Sequence, residues 1–261
     1  MIYNEVNGRV RVMSSEGIDK LFFELASESR LGVLHELQLK NLKMQELARK
    51  LDLTDTETCR QLQRLSEAHL IQKQVDGTYV LTPYAKLVLD TSASLDFIYK
   101  YREYFLNHNV CLLPFQFRVR LAELSGGVLL PTAIETFNTN TEMLRNACEK
   151  IDCTIEVGLT NQLEIMKQRV AEGVKVRWLL QESYLPKARD VLSSAKKLPE
   201  MRYTPRLWGH LYQTENGANL QLRQNDGTQD YVSFHGKDPL FLKWANDFFT
   251  YEWEKAKLWH P

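Results

Sequence analysis

No apolar run in the sequence reaches the roughly 18 residues that a membrane-spanning helix needs. Met1-Ile2-Tyr3-Asn4-Glu5 opens the chain without an apolar h-region, so no secretory signal pattern is present and a cytoplasmic location, with no membrane partner, is expected. Cysteine is sparse. Cys59, Cys111, Cys148 and Cys153 form no C-x-x-C pair, and no cysteine–histidine cluster has zinc-ligand spacing. Free thiols in a reducing compartment and no metal site are the expectation. The phosphate-cradling G-x-x-x-x-G-K-S/T and G-x-G-x-x-G loops are missing, as is the G-x-S-x-G nucleophile elbow, so no cofactor is expected. Net charge is also missing: 33 basic residues balance 33 acidic ones. Bulk electrostatic attraction to nucleic acid is thereby disfavoured, because that affinity comes from neutralising phosphates. A binder whose basic groups gather on one small face is not excluded.

A length of 261 residues favours two domains, and a hydrophobic content of 44% with 25% charged residues is the profile of a globular protein with real cores. From Ile18 the apolar spacing is helical, through Leu21, Phe22 and Leu25, then Leu31, Val33, Leu34 and Leu37. Ser27-Glu28-Ser29 interrupts the run and can cap the second helix. A short amphipathic helix is expected over Met44–Lys50. Thr54 then precedes the acid-rich turn Asp55-Thr56-Glu57, which suits the start of a helix running to about Ala68. Strands on either side of Asp76-Gly77 make a hairpin, and Thr82-Pro83 begins another helix.

Helix, helix, short turn, helix, hairpin and helix within about 70 residues is the plan of a winged helix-turn-helix, whose second paired helix can enter the DNA major groove. Such a helix needs a polar outer face and an inner face held by its partners. Burying Thr58, Leu62 and Leu65 leaves Thr56, Cys59, Arg60 and Gln63 outward, with Arg60 suited to guanine and Gln63 to adenine. Thr54, Thr78 and Tyr79 complete the candidate DNA-binding set with Lys43, Arg64 and Lys73. Lys40, Arg49 and Lys50 are further phosphate candidates. Residues 1–95 carry twelve basic and thirteen acidic groups, so the module is not basic. Asp55 and Glu57 favour the helix dipole but repel phosphates, which keeps open a winged helix used for protein contacts.

Residues 44–71 and the segment after them resemble the winged-helix regulators of the archaeal and ArsR/MarR-like type, on the strings MQELARKLDLT, CRQLQRLSEAHLIQK, DGTYVLT and LTPYAKLVL. Beyond residue 125, LPTAIETFNTNTEMLRNACEKI, GVKVRWLLQE and DPLFLKWANDFFTYEW resemble the regulatory region of archaeal winged-helix regulators in the methanogenesis-regulator family. That region is itself similar to the TrmB regulators and to the phospholipase D-like fold. The resemblance implies a transcription regulator that binds duplex DNA, pairs as a homodimer and senses a small molecule through its C-terminal region.

The fold class expected is α+β: a winged helix-turn-helix over residues 1–90, a helical linker or dimerisation segment over 91–127, whose apolar content equally suits burial in one larger core, and an effector domain with a mixed sheet over 128–261. Helices are expected over Thr132–Cys148, Thr160–Glu172, Leu185–Ala195 and Pro239–Trp259, with strands over Ile151–Gly158, Val174–Leu180, Glu200–Tyr203, Gly209–Gln213, Asn219–Arg223 and Tyr231–Phe234. Phospholipase D-like catalysis needs H-x-K-x4-D. His235-Gly236-Lys237 begins it, but Leu242 stands where aspartate is needed, and His210 has Tyr212 in the lysine position. No catalysis is expected, a degenerate phosphodiesterase being the remaining enzyme reading. Arg177, Trp178, Tyr203, Arg206, Trp208, His210 and His235 mix cationic and aromatic groups and are the candidate ligand-binding residues, if they converge.

Overall fold

Helix starts in the first part of the chain follow from side-chain caps. The Ser27 hydroxyl accepts from the Arg30 amide to begin α2 (Glu28–Leu39), after α1 (Ile18–Leu25). Glu46 accepts the Lys43 amide at 2.8 Å where β3 (Leu42–Lys43) passes into α3 (Met44–Lys50). The Thr54 hydroxyl accepts from the Glu57 amide at 3.2 Å and starts α4 (Asp55–Glu67). His69, in the left-handed region at φ 58°, ends it, and the Leu70 amide turns back to the Leu65 carbonyl at 2.9 Å. β4 (Ile71–Lys73) and β5 (Thr78–Leu81) then form a hairpin whose turn needs the positive φ of Gly77, 83°. β3 pairs with β5 and completes a three-stranded sheet. Val33, Leu34, Leu47, Leu62, Leu65 and Ile71 meet in the core of this unit.

The computed structural model describes residues 4–6, 9–11, 17–156, 160–193 and 197–261, with residues 4–6, 9–11 and 160–161 described by backbone alone. The expected strand end at Val157-Gly158, the helix end at Ser194-Ala195 and most of residues 1–16 fall outside them. Within 1–16, β1 (Asn4–Val6) pairs antiparallel with β2 (Arg9–Arg11). The chain divides into two units, Met1–Ser92 and Ala93–Pro261, and α5 (Pro83–Lys100) begins in the first and ends in the second. Among the described residues no helix is long and apolar enough to cross a membrane.

The second unit is α+β, built on a mixed eight-stranded sheet. In chain order its strands and helices are α6 (Arg102–Asn107), α7 (Phe115–Arg118), β6 (Val128–Leu130), α8 (Ala133–Asn146), β7 (Lys150–Ile155), α9 (Thr160–Glu172), β8 (Lys175–Gln181), α10 (Leu185–Leu192), β9 (Glu200–Thr204), β10 (Gly209–Thr214), β11 (Gly217–Leu222), β12 (Ser233–Gly236), α11 (Pro239–Lys255) and β13 (Lys257–Leu258). The sheet order is β13-β9-β8-β7-β10-β11-β12-β6. β7, β8 and β9 run parallel and the remaining pairs antiparallel.

Side-chain alternation along these strands makes two cores. Leu179, Leu211, Leu220 and Phe234 pack with α11, while Ile151, Cys153, Val176 and Trp178 pack with α9 and α10. Gly209 lies so close to β11 that a Cβ there would sit 2.0 Å from the Gln221 carbonyl oxygen.

Three expectations need correction. The segment 91–127 is not a separate linker, because Phe97, Tyr104, Leu113, Phe117 and Leu121 bury in the same core as Trp244 and Phe248 of α11. The last helix stops at Lys255 rather than Trp259. The chain extends there to pair β13 with β9, and the Trp259 amide bonds the Met201 carbonyl at 3.1 Å. The strand expected at Tyr231–Phe234 begins at Ser233, since Tyr231 has φ 63° and cannot continue a ladder.

Candidate nucleic-acid interface and a buried polar cluster

On α4 the burial pattern separates two faces. Thr58, Leu62 and Leu65 are at most 1% exposed, whereas Thr56, Cys59, Arg60 and Gln63 all lie in solvent. The inner face is fixed by more than apolar contact. Gln61, also buried, accepts from Arg30 Nη1 at 3.2 Å, and the same guanidinium caps the end of α1 by donating to the Phe23 and Glu24 carbonyls at 2.6 and 2.8 Å. Burial lowers the Arg30 pKa, and Glu24 opposes that fall. α4 is thereby tied to α1 and α2 and presents one rigid polar surface.

The other candidates in this unit fall into two groups. Lys40, Lys43, Arg49 and Lys73 are exposed, Lys73 lying 5.8 Å from the Tyr79 ring centre. The rest are engaged internally. Thr54 caps α4. The Thr78 hydroxyl donates to Asp76 at 2.7 Å within the hairpin turn. Lys50 is held by Glu36. Arg64 forms a two-pronged pair with Glu24 at 2.6 and 3.2 Å and lies 4.8 Å from the Phe23 ring centre. Gln63 Nε2 donates back to Glu67 at 2.9 Å, so the amide must turn outward before it can read a base.

In the second unit the seven ligand candidates do not converge. Arg177 donates to Asp152 at 2.6 and 2.8 Å and stacks near Phe249 and Trp253. Trp178, the next residue of β8, therefore faces the opposite core. Trp208 packs on Phe248 with ring centres 4.3 Å apart, Tyr203 packs beside the α9 core, and Arg206 is exposed. His235 Nδ1 donates to Asn219 Oδ1 at 2.9 Å, and burial, with Lys237 nearby, lowers its pKa. The recess of about 70 Å³ beside His235 and Lys237 has space for roughly two waters.

His210 is the candidate with charged neighbours. Its Nε2 lies 3.8 Å from Glu156, which accepts from Gln181 at 3.2 Å and from Arg223 Nη2. Arg223, nearly buried, also donates to the Leu207 and Gly227 carbonyls at 2.9 and 3.1 Å. Burial pushes the His210 pKa down to about 4, against the pull of Glu156 and the Thr154 carbonyl, so the ring is neutral at pH 7. Glu156 and Gln181 stand at the carboxyl ends of the parallel strands β7 and β8, and β7 is where the sheet changes direction toward β10. In open α/β sheets that is where ligand crevices form.

The chain matches no protein-family model and no curated protein. Solved structures do resemble it. TrmBL2, an archaeal chromatin protein described as having a novel mode of DNA binding, is 17% identical over 94% of this chain and 100% of its own, with a TM-score of 0.43. NucT from Helicobacter pylori is 12% identical over 51% of this chain and 98% of its own, with a TM-score of 0.42. Nuc from Salmonella typhimurium, a phospholipase D family member, is 7% identical over 52% and 99%, with a TM-score of 0.41. Likenesses this distant carry no argument about activity.

Glu156, Gln181 and Arg223 were outside the sequence-derived site set. Glu156 lies 67 positions from Arg223 and 25 from Gln181. The available signal was the pairing of an acid with an arginine at two strand ends, which no linear spacing encodes.

Proposed function

We propose that the chain is a sequence-specific regulator of transcription that binds duplex DNA through a winged helix-turn-helix in its first unit, works as a pair of copies, and has no catalytic activity. The observation that carries this reading is the two-faced α4: an exposed row of Thr56, Cys59, Arg60 and Gln63 backed by a fully buried one. A helix so held can lie in a major groove without losing its own packing, with the β4–β5 hairpin as the wing. The second unit is proposed to sense a small molecule at the Glu156–His210–Arg223 cluster. A ligand there regulates DNA affinity only if it binds one arrangement of the pair better than another.

The test is selection of bound duplexes from a random pool, followed by fluorescence anisotropy across salt. Arg60→Ala and Gln63→Ala are expected to change the sequence preferred, each by about 1–3 kcal/mol at one base position. Lys43→Ala and Lys73→Ala should weaken all sequences alike and flatten the salt dependence by about 0.9 for each phosphate no longer neutralised. Binding with no preference over random duplex, indifferent to Arg60 and Gln63, would count against the proposal. Asp55 is exposed at the start of α4 and favours a second reading, docking on a basic protein surface. On that reading Asp55→Asn abolishes the interaction, whereas under DNA binding it strengthens it.

A further inference from the structure

We propose that His108 is a pH-responsive latch on a strap, residues 228–232, that closes over the Glu156–His210–Arg223 cluster. The charged imidazole holds the strap shut, and loss of a proton as pH rises releases it. The inference rests on the sensing role proposed above for that cluster and names how access to it is regulated. It is tested without ligand or DNA, so it can fail while the sensing role stands, or stand while the sensing role fails.

His108 follows α6 and is buried. Its Nδ1 donates to the Tyr104 carbonyl at 2.8 Å. Its Nε2 lies 3.1 Å from Asp230 Oδ2, an ion-pair contact rather than an aligned hydrogen bond. A carbonyl and a carboxylate are both acceptors, so the arrangement suits a ring protonated on both nitrogens. The ring also lies flat on that of Tyr104, with centres 3.7 Å and planes 11° apart, the placement of a cation on an aromatic face. From the strap and its turn, Gln224 Nε2 donates to Asp230 Oδ2 at 3.2 Å and the Val232 amide to Oδ1 at 3.0 Å. From α6 the titratable group is Tyr104. Its hydroxyl accepts the Leu222 amide at 3.0 Å, and burial pushes its pKa up, so it stays neutral.

The turn before the strap is fixed independently of this pair. Asn225 donates from its amide to the Asn107 carbonyl at 3.0 Å and from its side chain to the Leu106 carbonyl at 2.7 Å, and the Asn109 amide reaches the Arg223 carbonyl at 2.8 Å. Residues 228–232 then run on without joining a strand or helix. Within them the Tyr231 ring lies 4.9 Å from that of Phe137 on α8 and 6.4 Å from that of His210, 24° from parallel to the latter. Closure in this form is costly. Tyr231 has φ 63°, a strained value for a bulky side chain. Both polar atoms of the Gln229 side chain are buried without a hydrogen-bond partner, as is Nε2 of Gln221, which stands opposite His210 in the β10–β11 pairing. Opening lets water or a polar ligand satisfy them. The His108–Asp230 attraction offsets these costs while the strap is shut. Once Nε2 has lost its proton, a lone pair faces the Asp230 carboxylate instead, and the strap is free to lift Tyr231 from His210.

The experiment is limited proteolysis of the full chain with chymotrypsin at about pH 6 and about pH 8.5, values on either side of the ordinary histidine range. Each rate is divided by that on an unstructured peptide of the strap sequence, which removes the pH dependence of the protease itself. The readout is the fragment ending at Tyr231, identified by mass, whose formation follows the open population of the strap. In wild type it should form about 10-fold faster or more at the higher pH, the change expected when one hydrogen bond to a charged group is lost. A fragment ending at Tyr212, inside β10, marks general unfolding and should stay absent. His108→Gln and Asp230→Asn should each be cut at the lower pH as fast as wild type at the higher one, with tryptophan fluorescence as in wild type. Should His108→Gln fail to fold, Asp230→Asn decides, since the Asp230 side chain is already 25% exposed. Cleavage of wild type after Tyr231 that is independent of pH overturns the proposal, as does a pH dependence that persists in folded Asp230→Asn.

Discussion

His210 makes the stability of the second unit depend on pH in a way that can be calculated. Its pKa is pushed down to about 4 in the fold by burial, against 6.5 when free. Between those values the unfolded chain binds the proton and the folded chain does not, so stability falls as pH drops below 6.5 and the loss levels off below about 4. Integrating that difference gives a loss of about 1.4 kcal/mol at pH 5.5 and about 2.5 kcal/mol at pH 4.5, relative to pH 7.5. His210→Gln keeps an amide in place of the ring and removes the titration. All five tryptophans, Trp178, Trp208, Trp244, Trp253 and Trp259, lie in the second unit, so tryptophan fluorescence during urea unfolding reports on that unit alone. The stability of wild type minus that of His210→Gln should decline from pH 7.5 to 4.5 by the amounts given, while contributions from carboxylates common to both chains cancel. Two parallel pH profiles would refute the reasoning and mean that His210 gains a proton in the folded state as readily as in the unfolded one.

Removing Asp152 leaves the Arg177 guanidinium half-buried without its counter-charge, and Asp152→Ala should destabilise the second unit by about 3–5 kcal/mol in the same urea assay, with most of the loss recovered in Asp152→Leu with Arg177→Met. Arg64→Ala should lower the melting temperature of the first unit, because it breaks the link to Glu24, and leave the DNA sequence preference as in wild type. Arg60→Ala should do the reverse in the same pair of measurements. His69→Gly should stabilise the first unit by about 1 kcal/mol in a thermal melt, since the residue sits at φ 58°, where a side chain carries a steric cost that glycine avoids.

The helices of the first unit were legible because their information is local. The Thr54 cap, the apolar spacing Thr58, Leu62, Leu65 and the turn at Gly77 each lie within a few residues of what they determine. Edge strands of two or three residues, β3, β6 and β13, carry too short a pattern to read, and β13 pairs with β9 residues that lie 54 and 56 positions earlier. The ligand candidates do not converge, for a reason the sequence did contain. Arg177 and Trp178 are consecutive in a strand, so they face opposite sides of the sheet and cannot line one pocket. The partners that matter for His210 came from distant strand ends, which no periodicity connects.

Zero net charge bears on the interface differently once these contacts are known. Much of the charge is consumed inside the fold: Arg30 and Arg64 by Glu24, Lys50 by Glu36, Arg177 by Asp152, Arg223 by Glu156, and Arg120 by Glu123 and Asp247. Taken together these pairs engage six bases and six acids, which leaves the total unchanged. The quantity that bears on the proposed DNA contact is therefore the balance of exposed groups over residues 40–76, where Lys40, Lys43, Arg49, Arg60 and Lys73 stand against Glu46, Asp52, Asp55, Glu67 and Asp76, the Lys50–Glu36 pair set aside. Five bases against five acids give no net charge there. On the proposed DNA-binding reading, one copy neutralises few phosphates and its affinity at physiological salt is weak. On the proposed pairing, two copies double the contacts and, through the effective concentration of the second module, raise the affinity by much more than a factor of two.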